Sequence, residues 1–387
     1  MSWEEVNLGD IATFVNGYPF KPTEWKEDGL EIIRIQNLTK GSSETNYFDG
    51  VIPEKYKVIK GDILISWSAT LDIFVWNKSD AWLNQHIFKV VFNKLKIDKQ
   101  FFIYLIKNIL GDIRSQVHGA TMQHITKAKF DNIRVFLPPL ETQKRIADIL
   151  DAADALRQKD QELLKKYDEL AQAIFIDMFG DPVKNEKGWE KACLKEITSK
   201  IGSGATPTGG KTAYKKSGIS LIRSMNIYDF SFKWKDLAFI DESQSTKLNN
   251  VAVLSKDVLF NITGASVCRC SIVPDEVLPA RVNQHVAIIR PKSEFLNPVF
   301  LNHLLVSNSI KNKLLGVGAY GGAVMEAITK EQLLEFEIIL PPVERQNEFE
   351  DNINNVFGGK KIKNNSLENS NALFNSLIQK AFKGELI

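Results

Sequence analysis

The sequence has little of what marks secreted, membrane-spanning or disulfide-rich proteins. Its 387 residues include 3 cysteines, Cys193, Cys268 and Cys270, which form no CxxC pair and indicate no disulfide framework. The longest apolar run, at 101–106, is far shorter than the roughly 20 residues of a membrane helix. The first residues, MSWEEV, lack the apolar core of a secretion signal. We therefore expect a soluble cytoplasmic protein without a membrane partner.

An excess of charge of one sign is also missing. Lys and Arg number 49 against 47 Asp and Glu, a net charge of +2, which predicts no nucleic-acid binding by bulk charge and leaves room for a local basic groove. Hydrophobic content of 44% and charged content of 25% are globular values that exclude disordered and collagen-like classes. At about 150 residues per domain, the length predicts two or three domains.

No catalytic, cofactor or metal motif is complete. The segment GSGATPTGGKT at 202–212 has Ala205 where a phosphate loop needs its first glycine, and leaves no room for the helix that would hold phosphate. No GxGxxG follows a predicted strand, and the two PP pairs lack the flanking Asp, Asn or Tyr of base-amine methyltransferases. The histidines form no metal-binding pattern; they are His86, His118, His124, His285 and His303. We predict a chain without a catalytic, cofactor or metal site, and an NTP-using enzyme built around 202–212 is the least favoured alternative.

An internal repeat organises the chain. The segment beginning at Trp3 returns at Trp189, an offset of 186, and the tripeptide NQH at 84–86 returns at 283–285, an offset of 199. LPPLETQ returns as LPPVERQ at an offset of 203, which then stays constant to the end of each copy. A rising offset is expected of a domain with variable surface loops, and a constant one of a rigid element.

Each copy combines two patterns. Short β-rich segments at 31–35, 62–66 and 86–92 predict strands, and apolar spacing over 98–116 predicts a helix. After LPP, apolar residues recur in steps of three and four, which predicts a long coiled-coil helix at 141–180. The predicted seam, in which polar Asp160 fixes the register, consists of Ile146, Ile149, Ala153, Leu156, Leu163, Tyr167, Leu170 and Ile174.

The second long helix, at 344–387, has a weaker pattern. Gly358 and Gly359 lie in an Asn-rich and Ser-rich middle and predict a kink or fraying, because each glycine costs about 1 kcal/mol relative to alanine. Its predicted seam consists of Phe349, Ile353, Val356, Phe357, Leu373, Leu377, Ile378 and Phe382. We predict an α+β fold with two tandem domains and two long helices paired as an antiparallel coiled coil with pseudo-two-fold symmetry. The C-terminal GELI then lies beside Trp3, as Gly180 lies beside Trp189.

These motifs, in this order, resemble the DNA-specificity subunits of type I restriction–modification systems. The resemblance covers essentially the whole chain, and rests on the tandem domains and on LPPLETQKRIADIL, FIDMFGDP, SGATPTGGKTAYKKSGISLIRSMNI and LIQKAFKGEL. It implies target-recognition domains at 1–140 and 181–343, each contacting one half of a bipartite double-stranded DNA target through the major groove. It also implies that the helices at 141–180 and 344–387 fix the spacer and dock two methyltransferase subunits.

The resemblance further implies a non-catalytic subunit without a cofactor of its own. S-adenosylmethionine, ATP and magnesium are expected on partner subunits, and restriction (translocase) subunits join the full complex. Two alternatives stay open: a recognition subunit of an orphan or phase-variable methylation system without a nuclease, and a coiled-coil scaffold that binds protein and not DNA.

Polar side chains on loops are the candidates for DNA contact, because Arg pairs with guanine and Asn or Gln with adenine. In the first copy the candidates are Arg34, Gln36, Asn37, Ser66, Ser68, Thr70, Thr121 and Gln123. In the second copy they are Lys211, Lys215, Arg223, Ser224, Asn226, Asn261, Thr263, Ser266, Arg269 and Tyr320. The recurrence of Arg34 as Arg223 favours a shared scaffold or phosphate-binding role, because base contacts should differ between copies. The lysines are phosphate candidates, and His86 and His285 are more often structural than functional.

Overall fold

The computed structural model describes residues 3–39, 44–68, 70–116, 126–207, 209–316 and 327–387. Within these ranges the chain divides into two compact units. The first unit comprises Met1–Gln161 with Asn365–Ile387, and the second comprises Glu162–Asn364. Each combines β-sheets with parts of two long helices, so the predicted α+β class is confirmed. Among the described residues no helix is both long and apolar enough to cross a bilayer.

The first unit is built on two four-stranded sheets and a strand pair. Its strands are β1 (Glu4–Asn7), β2 (Thr13–Asn16), β3 (Leu30–Ile33), β4 (Asn46–Phe48), β5 (Lys57–Val58), β6 (Ile63–Ser66), β7 (Asp72–Val75), β8 (Ala81–Leu83), β9 (Ile87–Val91) and β10 (Arg134–Leu137). Its helices are α1 (Leu8–Ile11), α2 (Ile35–Thr39), α3 (Lys99–Gln116), α4 (Lys127–Asp131) and the start of α5 (Leu140–Phe179). The strand orders are β2-β9-β6-β7, β4-β3-β8-β5 and β1-β10.

The second unit repeats this arrangement. Its strands are β11 (Lys191–Cys193), β12 (Thr198–Ser203), β13 (Ile219–Ile222), β14 (Ile227–Tyr228), β15 (Ser231–Phe232), β16 (Ala238–Ile240), β17 (Ala252–Val253), β18 (Val258–Asn261), β19 (Cys270–Ile272), β20 (Ala280–Val282), β21 (Val286–Pro291) and β22 (Glu337–Ile339). Its helices are α6 (Leu194–Ile197), α7 (Glu242–Lys247), α8 (Pro298–Val306), α9 (Asn308–Leu315), α10 (Lys330–Leu334) and α11 (Val343–Phe382). The orders β12-β21-β18-β19, β16-β13-β20-β17 and β11-β22 match those of the first unit, and β14 pairs with β15 in addition.

Aromatic clusters fill the larger core of each unit. In the first, Phe14 of β2 makes an edge contact with Phe130 of α4 at 4.9 Å between ring centroids. In the second, Phe179 at the end of α5 contacts Phe300 of α8 at 4.8 Å and Phe349 of α11 at 5.4 Å. Burial of such rings contributes strongly to the apolar stabilisation of each unit. In the second unit it also packs the ends of the long helices against α8.

The recurrent LPP motif acts as a helix start held by a buried glutamine. Gln143 donates from Nε2 to the carbonyl oxygen of Pro138 at 2.8 Å, and its Oε1 accepts the N–H of Asp98 at 2.9 Å. Gln346 makes the equivalent bonds to Pro341 at 2.8 Å and from Asn297 at 2.8 Å. Each glutamine thus ties the beginning of a long helix to the beginning of α3 or α8.

The two long helices run antiparallel in the first unit. The buried Asp160 of α5 accepts hydrogen bonds on Oδ2 from Ser366 at 3.0 Å and from Ser370 at 2.8 Å, both on α11. Nearer the start of α5, the guanidinium of Arg157 lies over the ring of Phe374 at 4.5 Å, so the residue numbers rise in opposite directions. The predicted polar register residue is therefore confirmed at Asp160, and its partners are serines of the other helix.

The second unit contains the same antiparallel pairing. Asp168 of α5 forms an ion pair with Lys360 of α11, and farther along α5 Met178 accepts a hydrogen bond from Asn352 at 3.7 Å. The helix α11 runs unbroken through Gly358 and Gly359, so the predicted fraying was wrong. Gly359 lies against the ring of Tyr167, where an added Cβ would come within 2.8 Å of the Oη atom. The glycine permits this close approach and does not end the helix.

The seam of the first helix differs from the prediction at two positions. Leu156 and Leu170 were predicted to be buried, but they are 47% and 45% exposed. Ala171 is buried in place of Leu170, and the partly buried Arg157 takes the place of Leu156 in the step between Ala153 and Asp160. On α11, Leu373 is likewise exposed at 49%, whereas its neighbour Phe374 is buried. The ring of Phe374 and the guanidinium of Arg157 set which side of each helix faces the other.

The end of each copy lies beside the beginning of the other copy, as the repeat predicted. Gly384 packs against the indole of Trp3, with about 3.7 Å between the position of an added Cβ and the ring, and Leu386 joins the same cluster. In the second unit the indole Nε1 of Trp189 donates to the carbonyl oxygen of Phe179 at 2.9 Å. The two tryptophans thus lock equivalent junctions between a long helix and a sheet-bearing part.

Candidate nucleic-acid interface

The NQH tripeptides lie at equivalent places in the two units, directly before β9 and β21. We refer to the end of each sheet at which these strands begin as the sheet edge. In the first unit the N–H of Trp67 donates to the carbonyl oxygen of His86 at 3.4 Å, and in the second the N–H of Ile262 donates to that of His285 at 3.0 Å. Another segment crosses beside this edge at Gly204, where a Cβ would overlap the backbone of Val282. Gly204 thus permits a close crossing of two chain segments.

In the first unit this edge carries an aromatic and hydroxyl surface. Trp67 makes an edge contact with His86 at 5.4 Å and donates from Nε1 to Asn16 at 3.2 Å. The candidates Ser68, partly buried, and Thr70, exposed, follow it in the chain. The candidate Ser66 is buried instead, and its hydroxyl accepts the N–H of Asp72 at 3.1 Å and donates to the carbonyl oxygen of Thr70, so it closes the turn.

In the second unit the same edge carries a polar network. The hydroxyl of Thr263 lies 2.6 Å from Nδ1 of His285, and the exposed Gln284 contacts both His285 at 3.3 Å and Thr206. The buried candidate Asn261 donates to Ser266 at 3.2 Å. Thr263 and Ser266 are partly accessible, whereas Asn261 faces the protein.

The turn after β3 holds three candidates of the first unit. The N–H of Arg34 donates to Oδ1 of Asn37 at 3.0 Å, and its guanidinium donates to Asn46 at 2.6 Å and to Gln36 at 3.2 Å. The same guanidinium lies over the ring of Trp25 at 4.8 Å. Gln36 and Asn37 lie in the short helix α2 and not in an open loop.

The turn after β13 repeats this geometry. The N–H of Arg223 donates to Oδ1 of Asn226 at 3.1 Å, and its guanidinium lies over Tyr214 at 5.4 Å and donates to the carbonyl oxygen of Asp236. Asn226 is fully buried, and the carbonyl oxygen of Ser224 accepts from Asn261 at 2.9 Å. The recurrent arginines thus make equivalent hydrogen bonds at equivalent turns. A base contact by Asn226 or Asn261 would require their side chains to leave the interior.

The remaining candidates are distributed differently. Lys215 forms an exposed ion pair with Asp241 at 3.3 Å. Thr121, Gln123 and Tyr320 lie outside the described residues, as does the side chain of Lys211.

Two residues that the sequence did not single out, Tyr228 and Lys233, form a cluster with the candidate Arg269. Lys233 Nζ lies 3.9 Å and Arg269 Cζ lies 4.3 Å from the centroid of the Tyr228 ring. Trp234, next in the chain, is 51% exposed and contacts Phe232 at 5.1 Å. Hydrogen bonding and charge from Lys233, together with Arg269, lower the pKa of the Tyr228 hydroxyl. A basic and aromatic run at 228–235 was the available sequence signal.

The cysteines and histidines offer no reactive or metal-binding constellation in the described ranges. Burial raises the pKa of the Cys268 thiol to about 11 and that of Cys270 well above its usual range, so both stay protonated. Within those ranges no group of three or more His, Cys, Asp or Glu side chains could hold a metal ion.

Comparisons with known proteins give a consistent result. The family model "Type I restriction modification DNA specificity domain" matches residues 1–166 and 186–369. The type I restriction enzyme EcoBI specificity subunit of Escherichia coli is 26% identical, covering 100% of this chain and 86% of that protein. The MjaVIII specificity subunit of Methanocaldococcus jannaschii is 24% identical, covering 95% and 88%.

Solved structures share the fold. A chain from a study of complex assembly and conformational transition of the type I R-M system aligns with a TM-score of 0.62 at 18% identity, covering 100% of this chain and 98% of that one. The S subunit from M. genitalium aligns with a TM-score of 0.54 at 13% identity, covering 98% and 96%. The chain belongs to the family of type I restriction–modification DNA specificity subunits, which are non-catalytic.

Proposed function

We propose that the chain selects DNA for modification by presenting two recognition domains, at 1–140 and 181–343, each of which contacts one half of a bipartite target in the major groove. One observation carries this proposal: two units with the same strand order present different accessible side chains at the same sheet edge. The partly exposed Trp67 of the first unit occupies the place of the buried Ile262 in the second, and Ser68 occupies the place of Thr263. A common scaffold with different edge chemistry is what two unlike half-sites require.

The accessible candidates are the ones we propose for base or sugar contact. In the first unit these are Gln36, Ser68 and Thr70, and in the second Thr263 and Ser266. Thr121, Gln123, Lys211 and Tyr320 stay predictions. Ser66, Asn226 and Asn261 support the loops from inside, and Arg34 and Arg223 hold the turns.

The long helices, at 141–180 and 344–387, are proposed to fix the spacing of the two half-sites and to dock two methyltransferase subunits, with restriction subunits joining the full complex. Leu170 and Leu373 support this role, because they stand at equivalent repeat positions and both are exposed on otherwise packed helices. Two equal apolar positions suit two copies of one partner. Such a complex works on DNA in the cytoplasm, with S-adenosylmethionine, ATP and magnesium bound by the partner subunits.

Methylome sequencing tests this function. Cells that express the chain with its modification subunit are compared with cells that lack only this chain. A bipartite motif with a fixed gap, present only with the chain, is expected. A continuous motif would confine recognition to one unit, and the absence of any new motif with both proteins soluble and associated would refute the proposal.

A further inference from the structure

The two units carry side chains of opposite charge at two equivalent positions. In the second unit the buried Asn226 donates to the carbonyl oxygen of Lys233 at 2.9 Å. In the first unit the equivalent Asn37 donates to the carbonyl oxygen of Glu44 at 3.5 Å. Because the same amide makes the same bond, Lys233 stands where the first unit has Glu44.

The second position lies opposite the last residue of β6 in the first unit and of β18 in the second. In the second unit Arg269 accepts the N–H of Asn261 on its carbonyl oxygen at 2.8 Å. In the first unit Asp72 pairs with Ser66 at the same place in the β6–β7 ladder. Two positive side chains of the second unit thus occupy the places of two negative side chains in the first.

The positive pair is assembled on one rigid ring. Tyr228 ends β14, and the next residue, Asp229, accepts the N–H of Cys270 at 3.2 Å and pairs with Lys311 at 2.6 Å, which fastens the β14–β15 hairpin to β19. Phe230, held in the left-handed region with φ 58°, donates its N–H to the carbonyl oxygen of Cys270 at 3.0 Å. The cations Lys233 and Arg269 therefore lie over a platform that does not need to be ordered on binding.

Within the part of the chain that the structure describes, no carboxylate forms an ion pair with this pair of cations. Among the ion pairs within the described ranges, none includes Lys233 or Arg269, although many other lysines and arginines of the chain have acidic partners. Lys233 is exposed and Arg269 is partly exposed, so both can reach a ligand. Two like charges near one ring repel each other, and an anion between them relieves that repulsion. Arginine binds phosphate oxygens in a bidentate manner, and lysine adds a point charge.

We propose that Lys233 and Arg269, held on Tyr228, form a DNA-phosphate clamp that the first unit lacks, so that the second unit contributes the larger share of backbone affinity. The inference rests on the proposed DNA function and deepens it. Phosphate contacts carry affinity without sequence information, so the clamp strengthens binding to target and scrambled duplexes alike. The carboxylates of Glu44 and Asp72 weaken backbone contact at the same place in the first unit.

The test uses the full chain assembled with its modification subunits. Binding to a duplex that carries the methylated motif and to a scrambled duplex is measured by fluorescence anisotropy over a range of KCl concentrations. The variants are Lys233→Gln, Arg269→Gln and their combination, with Lys247→Gln, an exposed lysine on α7, as the charge-matched control. The double variant is expected to weaken binding to both duplexes by roughly tenfold. It also lowers the slope of log K against log salt by about 0.9 for each phosphate that the clamp no longer neutralises.

Three further variants guard against loss of folding. Tyr228→Phe keeps the ring but removes the hydroxyl to which Lys233 is hydrogen-bonded, so it is expected to weaken binding less than Tyr228→Ala, which is expected to resemble the double variant. Glu44→Lys in the first unit is expected to strengthen binding to both duplexes and to steepen the salt slope, a gain that misfolding does not produce.

The outcomes separate this inference from the function on which it rests. An unchanged salt slope in the double variant, or a loss confined to the target duplex, would overturn the clamp while target preference of the unaltered complex upholds the function. If the unaltered complex shows no preference for the target duplex, the proposed function itself fails.

Discussion

The two adjacent glycines of α11 give a sharp test of the helix pairing in the second unit. A Cβ added at Gly359 would lie 2.8–3.0 Å from the Oη, Cε1 and Cζ atoms of Tyr167, whereas a Cβ at Gly358 would meet nothing within 4 Å. Both glycines lie inside the same continuous helix, so Gly358→Ala is a matched control for Gly359→Ala.

The magnitudes follow from helix propensity and packing. Replacing an exposed helical glycine by alanine stabilises by about 1 kcal/mol, which is the expected gain for Gly358→Ala. Gly359→Ala gains the same amount but forces the Tyr167 ring out of contact, at a cost of about 1–3 kcal/mol for overpacking. The free energy of unfolding should therefore differ between the two variants by about 1–3 kcal/mol. In a Tyr167→Ala background the difference should vanish.

Urea denaturation of the full chain, with hydrogen exchange of the α11 amides to localise the effect, measures all of these variants. The exchange measurement matters because a chain with two units need not unfold in one step. Equal stabilisation by Gly358→Ala and Gly359→Ala in the unaltered background would refute the reasoning, because it would show that Tyr167 does not pack on Gly359.

Three other substitutions test other parts of the structure. Gln346→Ala leaves the buried N–H of Asn297 and the carbonyl oxygen of Pro341 without a hydrogen-bond partner, and should lower the free energy of unfolding by about 3–5 kcal/mol in urea titrations. A loss below about 1 kcal/mol would contradict the role of the LPP motif as a helix start held by this glutamine. Asp257→Ala leaves Arg290 without its bidentate partner at 2.7 and 2.8 Å and should lower the free energy of unfolding by about 3–5 kcal/mol in the same titrations. Breaking an exposed ion pair should lower it by less than about 1 kcal/mol. Equal losses would argue against a buried pair. Burial lowers the pKa of His303 from 6.5 to about 4, so the free energy of unfolding is highest above pH 6.5 and falls by about 3 kcal/mol at most as the pH drops towards 4. His303→Phe should remove this part of the pH dependence of stability. Identical profiles of stability against pH for both proteins would refute the role of His303.

The elements that local sequence determines were predictable. The strands at 62–66 and 86–92 and the helix over 98–116 formed where alternation and helical spacing placed them, as β6, β9 and α3. Asp160 was identifiable as the polar residue of the seam because a charged side chain interrupts an otherwise apolar period. Its serine partners on α11 were beyond prediction, because they lie more than 200 residues away in the chain.

The faces of the long helices were harder to predict. A spacing rule permits either Leu156 or Arg157 at one step of the seam, and hydrophobicity favours the leucine. The structure uses Arg157 there, because its guanidinium stacks on the ring of Phe374. Gly359 resembles a helix breaker in the sequence, because the sequence does not show what occupies the space beside it. In the structure the ring of Tyr167, on the other helix, fills that space.

The candidate site was predictable as a region and less so by residue. Polar residues at strand ends were identifiable, but sequence does not show which of them turn inward, as Asn226 and Asn261 do. The cluster around Tyr228 was missed because Arg269 joins it from a loop some 40 residues away. Only the fold brings these groups to one ring.

The most direct test of the account replaces the first copy, residues 3–183, by a second copy of residues 189–386, so that the chain carries the second recognition unit twice. Methylome sequencing of cells that express this chain with the modification subunit should yield a motif that contains the second half-site twice. Persistence of the original first half-site, with the altered chain assembled and active, would contradict the claim that each unit recognises its own half of the target.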